Sequence, residues 1–130
     1  MNQFLPAALV ALGGGLGALA RWKLGGIVLH HTANWKFPVS TFLVNVAGCL
    51  VAGLLSGVSA KYWLIKPHQQ LFLFTGLLGG FTTFSAFGLE TTQLLRRGHL
   101  LIALAYVAAS VVTGVLALWI AMAAVPAKAE

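Results

Sequence analysis

Gly76-Leu77-Leu78-Gly79-Gly80-Phe81-Thr82-Thr83-Phe84-Ser85-Ala86-Phe87-Gly88-Leu89-Glu90 interrupts an otherwise lipid-like pattern, and the rest of the chain is organised around it. The stretch lies inside a hydrophobic segment of membrane-spanning length, yet paired glycines and a Thr-Thr pair stand where a plain spanning helix carries leucines. Glycine and β-branched threonine both lower helix propensity, so a local break that frees backbone carbonyls is expected here. Lipid cannot satisfy such groups, and a break is tolerable only where it is buried in protein or lines a cavity. Function is therefore expected at this point.

Composition sets the class. The 130 residues are 59% hydrophobic and 8% charged, whereas about a quarter of a soluble domain is charged. The chain reads as an all-α integral membrane protein in contact with the lipid bilayer. A net charge of +6 in a soluble chain would point to nucleic acid. Here the basic residues sit mostly between apolar runs, where they anchor helices at the interface, and no nucleic-acid partner is expected. The single cysteine, Cys49, lies in an apolar run, so there is no disulfide framework and a small buried core residue is the plain reading.

Four apolar runs follow in order, at about 4–29, 39–60, 71–95 and 100–125, and form one domain over 1–130. The first opens with Met-Asn-Gln, lacks the basic start of a signal peptide, and is expected to be retained. Its Gly15, Gly17 and Ala20 formally match a dinucleotide-binding fingerprint, but no strand or βαβ unit surrounds them. The physical reading is small-xxx-small, Gly13 with Gly17 and Gly14 with Ala18, which admits a neighbouring helix at close range. Arg21 either snorkels to the interface or faces a water-filled vestibule, where it sets a positive potential for an anion. His30 and His31 are adjacent rather than four apart, so no metal site is expected. In the second run, Asn45 is either a hydrogen-bonding link between helices or a donor on a polar path. Arg96-Arg97-Gly98-His99 ends the third run with cations and a glycine stop. In the fourth, Tyr106, Ser110 and Thr113 share one helical face.

Short linkers make neighbouring spans antiparallel, so both termini share a side. That side carries Lys61, Lys66 and Lys128; the other carries Lys36, Arg96 and Arg97, or five basic residues against three once Arg21 and Lys23 are added. Orientation is weakly specified for so basic a chain.

Enzyme chemistry has little to stand on. Glu90 and Glu130 are the only acids and there is no aspartate, which excludes paired-carboxylate catalysis and a Ser-His-Asp set within one subunit. The spans hold neutral donors instead: Asn45, Thr82, Thr83, Ser85, Tyr106, Ser110 and Thr113. Donors without fixed negative charge suit an anion. Phe81, Phe84 and Phe87 recur every three residues, which means either packing or ring edges, positive in the aromatic quadrupole, lining a pore.

Gly79-Gly80-Phe81-Thr82-Thr83-Phe84-Ser85-Ala86-Phe87, followed by Glu90, resembles the third-helix signature of the Fluc (CrcB-type) bacterial fluoride channels. The likeness extends to Gly14-x-x-Gly17-x-x-x-Arg21-Trp22 and to Thr41-x-x-x-Asn45-x-x-Gly48, and covers nearly the whole chain. Departures are Ala86 where threonine or serine is common, Phe81 where leucine is common, and Gly88 where serine is common. The resemblance implies four transmembrane helices per subunit, the third broken near its middle, in an antiparallel dual-topology homodimer of a bacterial inner membrane. It implies passive fluoride export through two pores between subunits. Phe84 and Phe87 would be the pore phenylalanines, with Asn45 a nearby donor, Thr83 and Ser85 on the path, and Tyr106, Ser110 and Thr113 a looser match to the fourth-helix polar face. Arg21 and Glu90 are set apart as vestibule or structural charges. A structural Na⁺ at the dimer centre would rest on backbone carbonyls of Gly79 and Thr82.

Two other classes compete with this reading. A small dual-topology multidrug transporter needs a carboxylate in its first span for proton coupling, and this first span has Arg21 and no acid. A non-transporting assembly protein would explain the glycine packing but not the donors at a broken third helix.

Overall fold

The computed structural model describes residues 4–62 and 65–126; the Met-Asn-Gln opening, Lys128 and Glu130 lie outside them. Helix α1 runs Phe4–Thr32 and α2 runs Val39–Tyr62. Helix α3, over 67–81, starts as Pro67–Gln70, widens into a π-helical stretch at Leu71–Leu78 and resumes as Gly79–Phe81. After two extended residues come α4, Phe84–Arg96, and α5, Leu100–Ala123. Among the described residues four helical passages, with α3 and α4 together making the third, are long and apolar enough to cross a membrane.

The third passage begins at Pro67, four residues ahead of the apolar run expected at about 71–95. Proline suits the first helical position because its missing N–H has no intrahelical partner there. The Gln69 side chain reaches back to accept from the Lys66 amide at 2.8 Å. The same passage ends as its Arg-Arg-Gly-His sequence anticipates. Gly98 takes φ +77°, and the amides of Gly98 and His99 donate to Leu95 O and Leu94 O at 3.0 and 2.9 Å, closing a Schellman cap.

Packing is dominated by two tight pairs, α1 on α3 and α2 on α5. The glycine stripe of α1 makes the first. A Cβ on Gly13 would stand 2.5 Å from Phe72 O and 2.9 Å from Leu77 N, and one on Gly17 would meet Phe81 N at 2.8 Å. Gly53 and Gly57 admit α5 in the same way, a Cβ on Gly57 lying 2.8 Å from Met122 O. Lys61 donates its ammonium to Val125 O just beyond α5, a cation at a helix carboxyl end. Away from these seams Leu12, Leu19, Trp22, Leu101, Val115 and Trp119 are exposed, as lipid-facing side chains are.

The third helix is broken, but not at its glycines. Gly79 keeps helical angles at φ −62°, ψ −37°, and Gly80 also lies within the helical turn. Thr82 (φ −85°, ψ 157°) and Thr83 (φ −149°, ψ 113°) are extended and carry the break. Gly80 serves packing instead: a Cβ there would lie 3.0 Å from both C and Cα of Gly14.

Candidate functional site

Each half of the broken helix is closed by a threonine. Thr82 turns its hydroxyl back to Leu78 O at 2.9 Å, ending α3, while Thr83 Oγ1 accepts from the Ala86 amide at 3.2 Å and caps α4. Asn45 of α2 clasps the extended residue between them. It accepts from Thr83 N–H at 2.9 Å and donates through Nδ2 to Thr83 O at 3.1 Å. This pairing makes Asn45 a link between helices, while one Nδ2 hydrogen remains for the cleft that Asn45 also lines.

These side-chain bonds divert two amides from the helical ladder. Thr83 N–H would otherwise close a turn on Gly79 O, and Ala86 N–H a turn on Thr82 O. Gly79 O and Thr82 O, the carbonyls that the family resemblance implies for a cation, are thus among those that the break leaves without an i+4 donor. Gly79 lies at the exposed surface of the subunit. Among the described residues no group of three His, Cys, Asp or Glu side chains could hold a metal ion.

Two clefts meet at the break. One, of about 260 Å³, is lined by Asn45, Cys49, Thr82, Thr83, Phe84, Phe87, Ser110 and Val111. Its Ser110 hydroxyl is buried with no hydrogen-bond partner among the described residues, an unusual state for a polar atom. The Phe84 ring is 83% exposed, and Phe87 is partly buried with its ring 5.5 Å from Phe84 and 5.1 Å from Tyr106. Phe81, by contrast, packs beside Gly48 on α2. The second cleft, of about 300 Å³, brings Arg21 together with Ser40, Thr41, Val44, Thr83 and Ala86. Thr83 is common to both.

Behind the clefts Glu90 accepts from Thr41 Oγ1 at 2.6 Å and from the Tyr106 hydroxyl at 2.7 Å. Tyr106 is fully buried, so its O–H serves Glu90 and not the cleft. Ser85 is exposed, with its hydroxyl 3.3 Å from that of Thr83. Thr113 is exposed and donates back to Ala109 O at 2.5 Å, outside the cleft lining. Tyr106, Ser110 and Thr113 thus share a face by count but not a common environment. Cys49, read only as core, lines the cleft, and its spacing of four from Asn45, itself four from Thr41, is the signal that marks this face of α2.

A protein-family model described as CrcB-like protein, Camphor Resistance (CrcB), matches residues 8–122. A Methylobacillus flagellatus protein named fluoride-specific ion channel FluC is 54% identical over 112 residues, 86% of this chain and 88% of that protein. A Hyphomonas neptunium protein of the same name is 47% identical over 124 residues, 94% of each chain. A third so named, from Flavobacterium psychrophilum, is 46% identical over 110 residues, covering 85% of this chain and 88% of its own.

Proposed function

This chain belongs to the CrcB family, and from that premise we infer that it is a fluoride-selective channel, passing F⁻ down its gradient across the membrane. The observation that carries the reading is the cleft at the helix break. It offers an unpartnered hydroxyl on Ser110, a spare amide hydrogen on Asn45 and the rings of Phe84 and Phe87, with no charged side chain in its lining. Fluoride is small and strongly hydrated, so close neutral donors and positive ring edges in a narrow path must replace its water. Arg21, in the adjoining cleft, supplies a positive potential at the approach. The channel acts by passive binding and release, without covalent chemistry.

One subunit gives half of this path. Phe84 is exposed within a membrane span and Gly79 faces outward, which supports completion by a second copy. The weak charge bias supports an inverted copy, giving an antiparallel dual-topology homodimer with two pores, in a bacterial inner membrane. A structural Na⁺ fits the donor set where two copies meet: Gly79 O and Thr82 O from each have lost their helical donors, and neutral oxygens suit a monovalent ion better than a divalent one. The ion would neutralise converging carbonyl dipoles. Fluoride efflux from liposomes containing only this chain, with chloride as control, tests the reading; equal or absent fluxes of both would reject it.

A further inference from the structure

We propose that the far end of α1 binds the phosphate headgroup of an anionic phospholipid through Trp22, Lys23, Gly26, His30 and His31. These residues, with Ile27, line an open cleft of about 490 Å³ on the outer face of the helix. Their spacing places them on one stripe, and Gly26 at its centre leaves a notch, since a Cβ there would meet nothing within 4 Å.

Depth selects the ligand. Lys23 stands about 28 Å along the axis from Phe4, close to the hydrocarbon thickness of about 30 Å. If α1 enters the membrane near Phe4, Lys23 and the 75%-exposed Trp22 lie at the opposite headgroup level. His30 and His31 follow about 11 Å further on, in the polar layer. Lys23, His30 and His31 have no hydrogen-bond or ion-pair partner among the described residues, although the two imidazoles touch edge to face at 5.3 Å. An ammonium and imidazole N–H groups are donors matched to phosphate oxygens, while Ile27 and Trp22 offer apolar surface to an acyl chain. The one carboxylate among the described residues, Glu90, is occupied by Thr41 and Tyr106. Lys36 and Arg97 in the linkers of the same end, with Arg96 at the end of α4, add to the positive field. A second copy of this chain is a poor occupant, because an inverted copy would bring Lys61 and Lys66 to this level and, among its described residues, no carboxylate.

The test is native mass spectrometry of the intact protein offered equal amounts of phosphatidylglycerol and phosphatidylcholine with identical acyl chains. Phosphatidylglycerol adducts are expected to dominate by about fivefold or more, the effect of one basic residue at an anionic surface. The K23Q/H30Q/H31Q variant is expected to bring the ratio near one; if it does not fold, Lys23→Gln alone should lower the preference by about fivefold. Equal adducts in the wild type, or an unchanged preference in the folded variant, would overturn the site. Loss of a dimer mass in the variant would assign the face to a second copy instead. Equal thermal stabilisation by inorganic phosphate in lipid-free detergent would assign it to free anions and likewise overturn it.

Discussion

Replacing Asn45 with alanine should collapse the break on which the clefts depend. The substitution removes the bond from Thr83 N–H at 2.9 Å and the bond to Thr83 O at 3.1 Å, leaving both backbone groups of a part-buried extended residue without their partner. At about 1–3 kcal/mol for each abandoned group, the loss is about 2–6 kcal/mol before any water enters. That is a large share of a marginal stability of about 5–15 kcal/mol. A lower unfolding temperature in detergent and loss of fluoride efflux from liposomes are expected together. Asn45→Asp separates the effects. Its carboxylate keeps an acceptor for Thr83 N–H, opposes Thr83 O where Nδ2 stood, and puts negative charge on an anion path. It should therefore cost at least the roughly 1–3 kcal/mol of the lost bond to Thr83 O, and abolish flux as completely even where the subunit still folds. Wild-type melting and wild-type flux in Asn45→Ala would refute the reasoning.

Phe84→Ile and Phe87→Ile should each reduce fluoride flux strongly, because an aliphatic group keeps bulk without a positive ring edge; liposome efflux decides it. Phe87→Ile should also lose about 0.5–1.5 kcal/mol from its ring contact with Tyr106, read by thermal unfolding, whereas exposed Phe84 should not. Cysteines replacing Lys36 and Lys66 should each be labelled from both sides of the membrane, and strict one-sided labelling would contradict inverted pairing; Lys61 is avoided because it caps α5. Gly80→Val should unfold the subunit, since its Cβ meets the Gly14 backbone. Gly79→Val should spare the isolated fold, its Cβ meeting only Phe74 O at 3.6 Å, and instead weaken dimer mass in native mass spectrometry and remove Na⁺ dependence.

Gly79-Gly80 and Thr82-Thr83 show how far the sequence could be read. Low helix propensity located an interruption to within a few residues, but propensity cannot distinguish a glycine that bends a helix from one that lets another helix approach. Gly80 does the second, against Gly14. The threonines break the helix because Asn45, 38 residues away, accepts and donates at Thr83, a tertiary partner that no local pattern encodes. The same holds for Glu90. Its hydroxyl partners lie 49 and 16 residues distant, so the spanning acid was visible but its binding by Thr41 and Tyr106 was not. Helical counting put Tyr106, Ser110 and Thr113 on one face correctly, yet a face of that height crosses three environments: the core, the cleft and the exposed surface. The close seams of Gly13 and Gly17 were legible because only small residues at that spacing permit such contact.

The central claim rests on selectivity, and liposomes containing only this chain test it most directly. Vesicles loaded with equal fluoride and chloride, in Na⁺ buffer, should empty of fluoride when the counter-ion path is opened and retain their chloride. Release of both anions alike, or of neither, from verified folded protein would contradict a fluoride path built at the Thr82-Thr83 break.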